Sequence, residues 1–178
     1  MLIFSREWYI RFVKEIIAMN IKSSFIYDDF RISQESTDSG WTMPYSHYHD
    51  SLEIYILNSG ERIVTIGDKE YIAKAHTASL FESNTPHRSR GDASFSGICI
   101  HFSERYIDRH FTSDVKRYLL ECFRHGVVKI NDDDYKIIKQ IADEFTVGER
   151  DNFLKLAVVL NILNKSGFVS ESKKKRKP

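Results

Sequence analysis

The sequence predicts a mainly β fold with α-helices at both ends, in which short antiparallel strands form a jelly-roll barrel or sandwich. From residue 21 to about residue 102, runs rich in Ile, Val, Tyr, Phe and Thr are separated by glycines at positions 40, 60, 67, 91 and 97, a pattern typical of strands and turns. About seven such strands follow one another without the crossover helices that a parallel sheet needs. After Phe102 the apolar spacing becomes helical.

The composition is that of one ordinary globular domain. The 178 residues are 42% hydrophobic and 29% charged, with a formal net charge of +1, which argues against global disorder. Without residues 170–178, which carry a run of five basic side chains, the chain has 21 basic and 24 acidic residues, or a net charge of −3. Such a mildly acidic body is not expected to bind nucleic acid phosphates by itself.

The sequence carries no sign of export or membrane insertion. Charged residues, among them Arg6, Glu7 and Arg11, lie where a signal peptide would be apolar, and no apolar run is long enough to span a bilayer. Cys99 and Cys122 lie in apolar stretches and are interpreted as buried thiols of a reducing compartment. We therefore expect a cytoplasmic protein without membrane contact.

Four regions are expected along the chain. Residues 1–20 form an amphipathic helix behind Ser5, residues 21–102 the barrel, residues 103–166 a helical extension and residues 167–178 a basic, exposed interdomain linker. Within the barrel, strands are predicted at residues 25–32, 77–81 and 95–102. Hairpins are predicted over residues 52–66 and 62–73, the second with Gly67 in its tight turn.

The helical extension is expected to start with a short helix opening at Ser103 and to continue with helices near residues 115–123, 133–145 and 151–165. The last of these is apolar around most of its circumference, so a second face must be covered by the barrel or by another copy of the chain. The candidate residues for a homodimer interface are Leu156, Val159, Leu160 and Leu163. The alternative is that the barrel itself buries this face.

Histidines and a glutamate form the most suggestive chemical pattern. His47 and His49 share one face of an extended strand, Glu53 keeps the same parity, and His87 follows Pro86 on what should be a neighbouring strand. Three imidazoles and a carboxylate that converge inside a barrel can hold a divalent metal such as Zn²⁺, Ni²⁺, Mn²⁺ or Fe²⁺. His76, His101, His110 and His125 have no partner at ligand spacing and are expected to play surface or core roles.

This pattern resembles the two motifs of the cupin superfamily. Gly40, His47, His49, Glu53 and Gly60 match the first motif, with one extra residue between Gly40 and His47. In the second motif His87 matches the histidine and Asn84 stands in the place of a turn glycine, whereas Glu82 and Gly91 replace its proline and asparagine. The resemblance implies a cupin β-barrel.

Within that superfamily, residues 47–60, 84–88 and 100–103 resemble the N-terminal sensor domain of AraC-type transcription regulators, and the resemblance covers roughly residues 20–165. It implies a domain that binds a small effector in its barrel, forms a homodimer through the following helices, and controls a helix-turn-helix module expected to lie outside this chain. Operator DNA would be bound only through that module, and the effector could be a sugar. The expected ligand-binding residues are Trp41, Tyr45, His47, His49, Glu53, Tyr55, His87 and Arg88.

Two other classes stay open at the level of sequence. The complete histidine and glutamate set also suits a stand-alone metal-dependent cupin enzyme, a dioxygenase or an isomerase. A structural or interaction module without a ligand is the other class. We expect a non-enzyme without a bound cofactor, with a divalent metal at His47, His49, Glu53 and His87 as the alternative, because the sequence has no nucleophile elbow, phosphate-binding loop or Cys-x-x-Cys pair.

Overall fold

The computed structural model describes residues 20–27, 29–145 and 151–172. The predicted N-terminal helix lies outside the described residues except for Asn20, which begins the first strand. The basic run from Lys173 to Lys177 also lies outside them.

Eleven strands in the described part of the chain form two antiparallel sheets. Their bounds are β1 Asn20–Tyr27, β2 Phe30–Thr37, β3 Trp41–Thr42, β4 Leu52–Ser59, β5 Glu61–Ile66, β6 Lys69–Lys74, β7 Thr77–Phe81, β8 His87–Gly91, β9 Phe95–Phe102, β10 Val127–Lys129 and β11 Gly167–Phe168. The larger sheet has the order β1-β2-β9-β4-β7-β10-β11, and the smaller sheet the order β3-β8-β5-β6. The mainly β fold expected from the sequence is confirmed.

The two faces of the larger sheet are buried against different partners. On β4, Ile54 and Ile56 belong to an apolar core that also contains helical residues. Leu57 of the same strand packs instead with Val64 of the smaller sheet. Because side chains alternate along a strand, one face of the larger sheet meets the smaller sheet and the other meets the helices.

Most of the predicted strands are found, but one hairpin is wrong. Strands β7 and β9 have the predicted bounds, and Gly67 occupies a left-handed conformation (φ 59°) in the β5–β6 turn. Residues 25–32, predicted as one strand, belong instead to the end of β1 and the start of β2, on either side of Asp29. Strands β4 and β5 do not form the predicted hairpin, because the chain passes from one sheet to the other at Gly60 (φ 92°), where β4 ends against β9 and β5 pairs with β6 and β8.

Four α-helices and a short 3₁₀ helix occur in the described residues. They are α1 Glu104–Asp108, α2 Ser113–Leu119, the 3₁₀ helix Glu121–His125, α3 Asp132–Asp143 and α4 Asn152–Lys165. Ser103 caps α1 as expected, because its side chain accepts a hydrogen bond from the Tyr106 backbone amide. Asn131 caps α3 in the same way through Asp134.

The predicted dimerisation residues are buried inside the chain. Leu156, Val159, Leu160 and Leu163 all have 0% exposure and belong to the same core as the outer face of the larger sheet. The second apolar face of α4 is therefore covered within the chain, which was the alternative interpretation. The prediction that these four residues form a surface patch for a second copy is therefore wrong.

The barrel and linker boundaries also differ from the prediction. Strand β10 pairs with β7, and β11 pairs with β10, so the larger sheet extends beyond residue 102. The Ser172 backbone amide donates to the Glu70 carbonyl at 2.7 Å, and Lys69 lies 3.0 Å from Glu171. Residues 167–172 are thus attached to the barrel and do not begin a free linker.

Candidate ligand and metal site

A cavity of about 270 Å³ lies between the inner faces of the two sheets. Its volume is close to the lower end of the range for small-molecule pockets, about 300–1,000 Å³. One group of lining residues consists of titratable side chains: His47, Glu53, His87, Cys99 and His101. Another group is aromatic and cationic: Trp41, Tyr55, Arg62, Phe81 and Phe95.

His47 and His49 reach the cavity region from a loop, not from the extended strand predicted for them. The backbone of His47 forms an isolated bridge to His87, with N–O distances of 3.0 and 2.9 Å. The bridge fixes the two residues across from each other, and their ring centroids lie 4.2 Å apart. Strand β4 begins only at Leu52 and places Glu53 on its inner face. The predicted convergence of these residues is therefore present, although its structural basis is different.

Hydrogen bonds set the protonation of two of the rings. His87 Nδ1 lies 2.9 Å from the Thr85 carbonyl oxygen, so Nδ1 carries a proton, because a carbonyl oxygen can only accept. This Nε2 is buried and has no hydrogen-bond partner, although it is 3.4 Å from Glu53 Oε2. Both ring nitrogens of His49 face acceptors, the Ser51 carbonyl and Glu53 Oε2, each at 2.8 Å.

The pKa values of the cluster follow from these contacts. The hydrogen bond to Glu53 raises the pKa of His49, which favours an imidazolium paired with a carboxylate. Burial alone would raise the pKa of Glu53, but the contacts with His49 and His87 outweigh it and lower that pKa. Burial and the nearby His87 lower the pKa of His47 to about 4. The cluster thus holds a carboxylate and a neutral His47 near neutral pH, and it favours the charged form of His49.

The four residues predicted as metal ligands fit a divalent ion. One donor atom from each of His47, His49, Glu53 and His87 lies within 4.8 Å of the others. Small movements bring such atoms to bonds of about 2.0–2.2 Å around one ion. The buried Nε2 of His87, which has no hydrogen-bond partner, supports the fit, because buried polar atoms are normally paired and a metal ion would supply the missing partner. His49 would have to release a proton to join it.

Cys99 and His101 belong to this site, although their positions in the sequence did not predict it. Cys99 Sγ lies 3.2 Å from His101 Nε2 and 3.5 Å from Glu53 Oε1, and His101 Nε2 lies 3.8 Å from Glu53 Oε2. The pairing of β4 with β9 creates this group, since it sets Glu53 opposite His101 and Tyr55 opposite Cys99. The expectation that His101 has no partner is wrong. Glu53, Cys99 and His101 form a second set that could hold a metal.

Five of the eight predicted ligand-binding residues line the cavity: Trp41, His47, Glu53, Tyr55 and His87. His49 lies beside it in contact with Glu53. Tyr45 is 62% exposed in the loop after β3 and is not among the lining residues. Arg88 follows the inward His87 on β8, so alternation turns it away from the cavity, and its Nε donates to the Met43 carbonyl. Tyr45 and Arg88 therefore do not line the cavity.

The remaining histidines lie elsewhere, as expected. His76 contacts Asp132 Oδ1 at 2.9 Å and stacks on Tyr135. His110 stacks on Phe153 of α4, with ring centroids 4.3 Å apart. Neither belongs to the groups of potential metal ligands in the described residues.

Two sheets enclosing a cavity with this histidine and glutamate set define a cupin fold. Residues 35–101 match the family described as cupin domain, which agrees with this fold. This match covers the two predicted motifs from His47 to His87 and extends to His101. It does not include the helices.

Similar solved structures come from several organisms. A conserved protein of unknown function from Streptococcus pyogenes is 18% identical, covers 48% of this chain and 74% of its own, and has a TM-score of 0.44. A cupin superfamily protein from Desulfitobacterium hafniense is 16% identical, with coverages of 48% and 78% and a TM-score of 0.44. The Cnp3 cupin domain of Schizosaccharomyces pombe is 10% identical, with coverages of 51% and 69% and the same TM-score of 0.44. No curated protein matches the sequence.

The structure also bears on membrane insertion. Among the described residues, none of the helices combines the length and the apolar character needed to cross a bilayer.

Proposed function

We propose that this chain is the effector-sensing domain of a transcription regulator of AraC type. A small molecule binds in the barrel, and the helices transmit the resulting conformational change. A helix-turn-helix module outside these residues responds to that change and binds DNA. The observation that carries the proposal is that the sheet lining the cavity is also the sheet on which the helices pack.

Strand β4 illustrates this shared sheet. Glu53 and Tyr55 line the cavity, whereas Ile54 and Ile56 are fully buried in the core that contains α4. A ligand that moves β4 by a fraction of an ångström therefore acts on both faces at once. Close-packed cores transmit such shifts because they have few voids to absorb them.

Strand β7, the neighbour of β4 in the larger sheet, also faces the cavity on one side and the helices on the other. Ser79 and Phe81 line the cavity, and Ala78 and Leu80 belong to the core with the helices. All five residues of β7 are buried. A strand covered on both faces couples the cavity to Leu156 and Leu160 of α4, which share that core.

The cavity and the helical region together favour sensing over a passive structural role. A cavity with several polar groups on an aromatic wall is what a small ligand needs for orientation and affinity. The volume of about 270 Å³ limits the effector to a small metabolite, such as a monosaccharide. We retain a homodimer and a cytoplasmic location as parts of this proposal, since regulators of palindromic sites bind DNA as two-fold dimers.

A metal-dependent enzyme is the second candidate, and the clustered donor atoms of His47, His49, Glu53 and His87 favour it. A divalent ion bound there would supply Lewis acidity and could polarise a carbonyl or hydroxyl group of a substrate. Glu53, which keeps its negative charge when buried, would balance the charge of the ion. His87, held by the Thr85 carbonyl, would provide a preoriented ligand.

Ligand screening with two readouts separates these candidates. Ligand-observed NMR with neutral sugars, amino sugars, urea derivatives and small organic acids would identify binders, with the protein either treated with EDTA or loaded with one divalent metal. The same spectra reveal turnover. Binding without chemical change supports the sensor, and turnover of a bound compound by the metal-loaded protein supports the enzyme.

Hydrogen exchange then tests transmission to the helices. The sensor proposal expects a bound compound to slow amide exchange in α4, which lies across the sheet from the cavity, as well as in β4 and β7. Exchange that changes only in the strands would contradict transmission, as would the absence of any binder in the screen.

A further inference from the structure

Arg62 is an unusual residue in the wall of the cavity. Its side chain is only 2% exposed, and it is the largest fully buried side chain among the described residues. Burying a guanidinium without a counter-charge is unfavourable, and buried cations are normally paired with an anion. No carboxylate within the described ranges forms an ion pair with Arg62 at 4.0 Å or less.

The contacts of Arg62 are neutral and incomplete. Nε donates to Ser89 Oγ at 3.0 Å, and Nη1 donates to the Gly91 carbonyl at 3.4 Å. The guanidinium lies over the Phe95 ring, 4.2 Å from its centroid. Nη2 is buried and has no hydrogen-bond partner. The group is thus held in one orientation with a donor left over.

Two further buried donors without partners lie in the wall of the same cavity. They are the Trp41 indole Nε1 and the Tyr55 hydroxyl. The Arg62 guanidinium is 5.8 Å from the centroid of the Trp41 ring, and burial raises the pKa of Tyr55 well above its usual value, so the phenol stays a neutral donor. Three unsatisfied donors around one cavity, two on the smaller sheet and one on the larger sheet, are unusual, because buried polar groups are normally paired.

The other charged residues of the cavity are Arg31, Glu35 and Glu53. Glu53 is engaged by His49 at 2.8 Å, and Glu35 accepts a hydrogen bond from Ser33 at 3.0 Å. Burial raises the pKa of Glu35. Neither carboxylate neutralises Arg62.

We propose that Arg62, Trp41 and Tyr55 form an anion subsite that binds the carboxylate of a small organic acid. The inference rests on the proposed function, because it names the chemical class of the effector that occupies the barrel. Two carboxylate oxygens offer about four lone-pair positions, enough to accept from Nη2, the indole N–H and the phenol. A charged acceptor also compensates the buried guanidinium, which a neutral sugar cannot do.

The rest of the ligand would face the histidine cluster. Ser89, which holds Arg62, and His87, which belongs to the cluster, are two residues apart on β8, or about 6.6 Å along a strand. An acid with a polar group at that distance from its carboxylate would contact both ends. This agrees with the small volume of the cavity.

The test compares acids with their uncharged amides. Isothermal titration would use benzoate, pyruvate and glucuronate, each beside its amide, in phosphate-free buffer, with inorganic phosphate as a separate titrant. At least one acid is expected to bind at least about tenfold more tightly than its amide, since hydrogen bonds to charged groups contribute more than neutral ones. If the amides bind as tightly as the acids, or if phosphate binds and no acid does, the proposal is wrong.

Variants then assign the binding to the three donors. Arg62→Met should weaken the acid about tenfold or more while leaving its amide nearly unchanged. Tyr55→Phe keeps the ring and Trp41→Phe keeps an aromatic side chain, while each removes one donor, and each should weaken the acid roughly three- to tenfold. They keep the test decisive should Arg62→Met fail to fold. The matched control is Arg90→Gln, because Arg90 pairs with Glu70 at 2.6 Å and does not line the cavity.

The outcome also separates this inference from the proposed function. A cavity that binds a neutral effector, with Arg62→Met behaving like the wild type, would leave the sensor proposal in place and overturn the anion subsite. An acid that is bound through Arg62 and chemically converted would support the subsite and contradict the sensor.

Discussion

The Tyr55 ring lies directly against Gly97, so closely that no side chain fits between them. A Cβ atom built on Gly97 would be 2.6 Å from Tyr55 Oη and 2.7 Å from Cε1. The two residues lie on the paired strands β4 and β9. Gly97 therefore fixes the position of a hydroxyl that lines the cavity.

Gly97→Ala is expected to displace the Tyr55 ring and to lower the free energy of unfolding by about 1–3 kcal/mol, the usual cost of overpacking a core. Urea denaturation would measure it. The control is Gly167→Ala, since a Cβ at Gly167 would meet no atom within 4 Å. Equal stability of the two variants would show that the Tyr55 ring moves without cost.

Metal binding provides a second prediction. The EDTA-treated protein is expected to bind one Zn²⁺ or Ni²⁺ ion per chain, and Glu53→Gln should lower the affinity by about tenfold or more, because it removes the negative ligand of the cluster. Titration calorimetry and elemental analysis would measure this. His125→Ala is the control, since His125 is exposed and stacks on Phe168 away from the cluster.

The metal affinity should also depend on pH in one direction. His49 has a raised pKa because Glu53 accepts its hydrogen bond, and the ring must lose a proton before it can bind an ion. Affinity should therefore fall as the pH is lowered from about 8 to about 6, the range in which histidines titrate. Affinity that stays constant over this range would exclude His49 as a ligand.

Asp29 gives a prediction on acid stability. It joins β1 to β2, and its side chain, which is only 4% exposed, contacts the more exposed Arg105 Nη2 and Arg109 Nη2, each at 2.5 Å. The hydrogen bond from Arg105 helps to lower the pKa of Asp29. A carboxyl with a lowered pKa stabilises the fold above its unfolded value, about pH 3.9, and this contribution is lost as the pH falls through the folded value.

Asp29→Asn should accordingly lower the unfolding free energy by about 0.5–1 kcal/mol at pH 7, a modest change because both arginine partners are exposed to solvent. The difference from the wild type should shrink as the pH falls below about 4. Thermal unfolding at a series of pH values would measure both. The assignment is wrong if the difference between the two proteins grows on acidification.

The sequence predicted the strands better than their pairing. Strands β7 and β9 have the expected bounds because glycines or polar turns flank their apolar runs. The prediction of a hairpin between β4 and β5 was wrong because a short turn at Gly60 has two possible outcomes. The two flanking strands can pair in one sheet, or the chain can pass from one sheet to the other. Local residue patterns do not distinguish these cases.

The candidate site shows the same limit. His47, His49, Glu53 and His87 could be grouped from their spacing and motif, whereas Cys99 and His101 could not, because only the register of β4 on β9 brings them to Glu53. Arg62 was missed for a related reason. An arginine on a strand usually indicates an exposed face, and its burial depends on how the two sheets close.

The last prediction concerns assembly through α4, for which a homodimer was expected. Leu160 has 0% exposure and packs in the core beneath the larger sheet, so Leu160→Ala should destabilise the chain by about 2–5 kcal/mol through the cavity it leaves. It would not act as an interface variant. If α4 does contact a second copy, the exposed apolar residues one turn apart must be involved, and these are Leu154 at 53% and Val158 at 44% exposure.

Light scattering at micromolar concentration, combined with thermal unfolding, separates these roles. The double variant Leu154→Asp and Val158→Asp should keep the melting temperature of the monomeric fold within a few degrees, because surface substitutions usually change stability by less than about 0.5 kcal/mol. Together these substitutions should convert a dimer to a monomer. A dimer that persists in the double variant would place the interface away from α4, and a wild-type chain that is monomeric at these concentrations would contradict the homodimer itself.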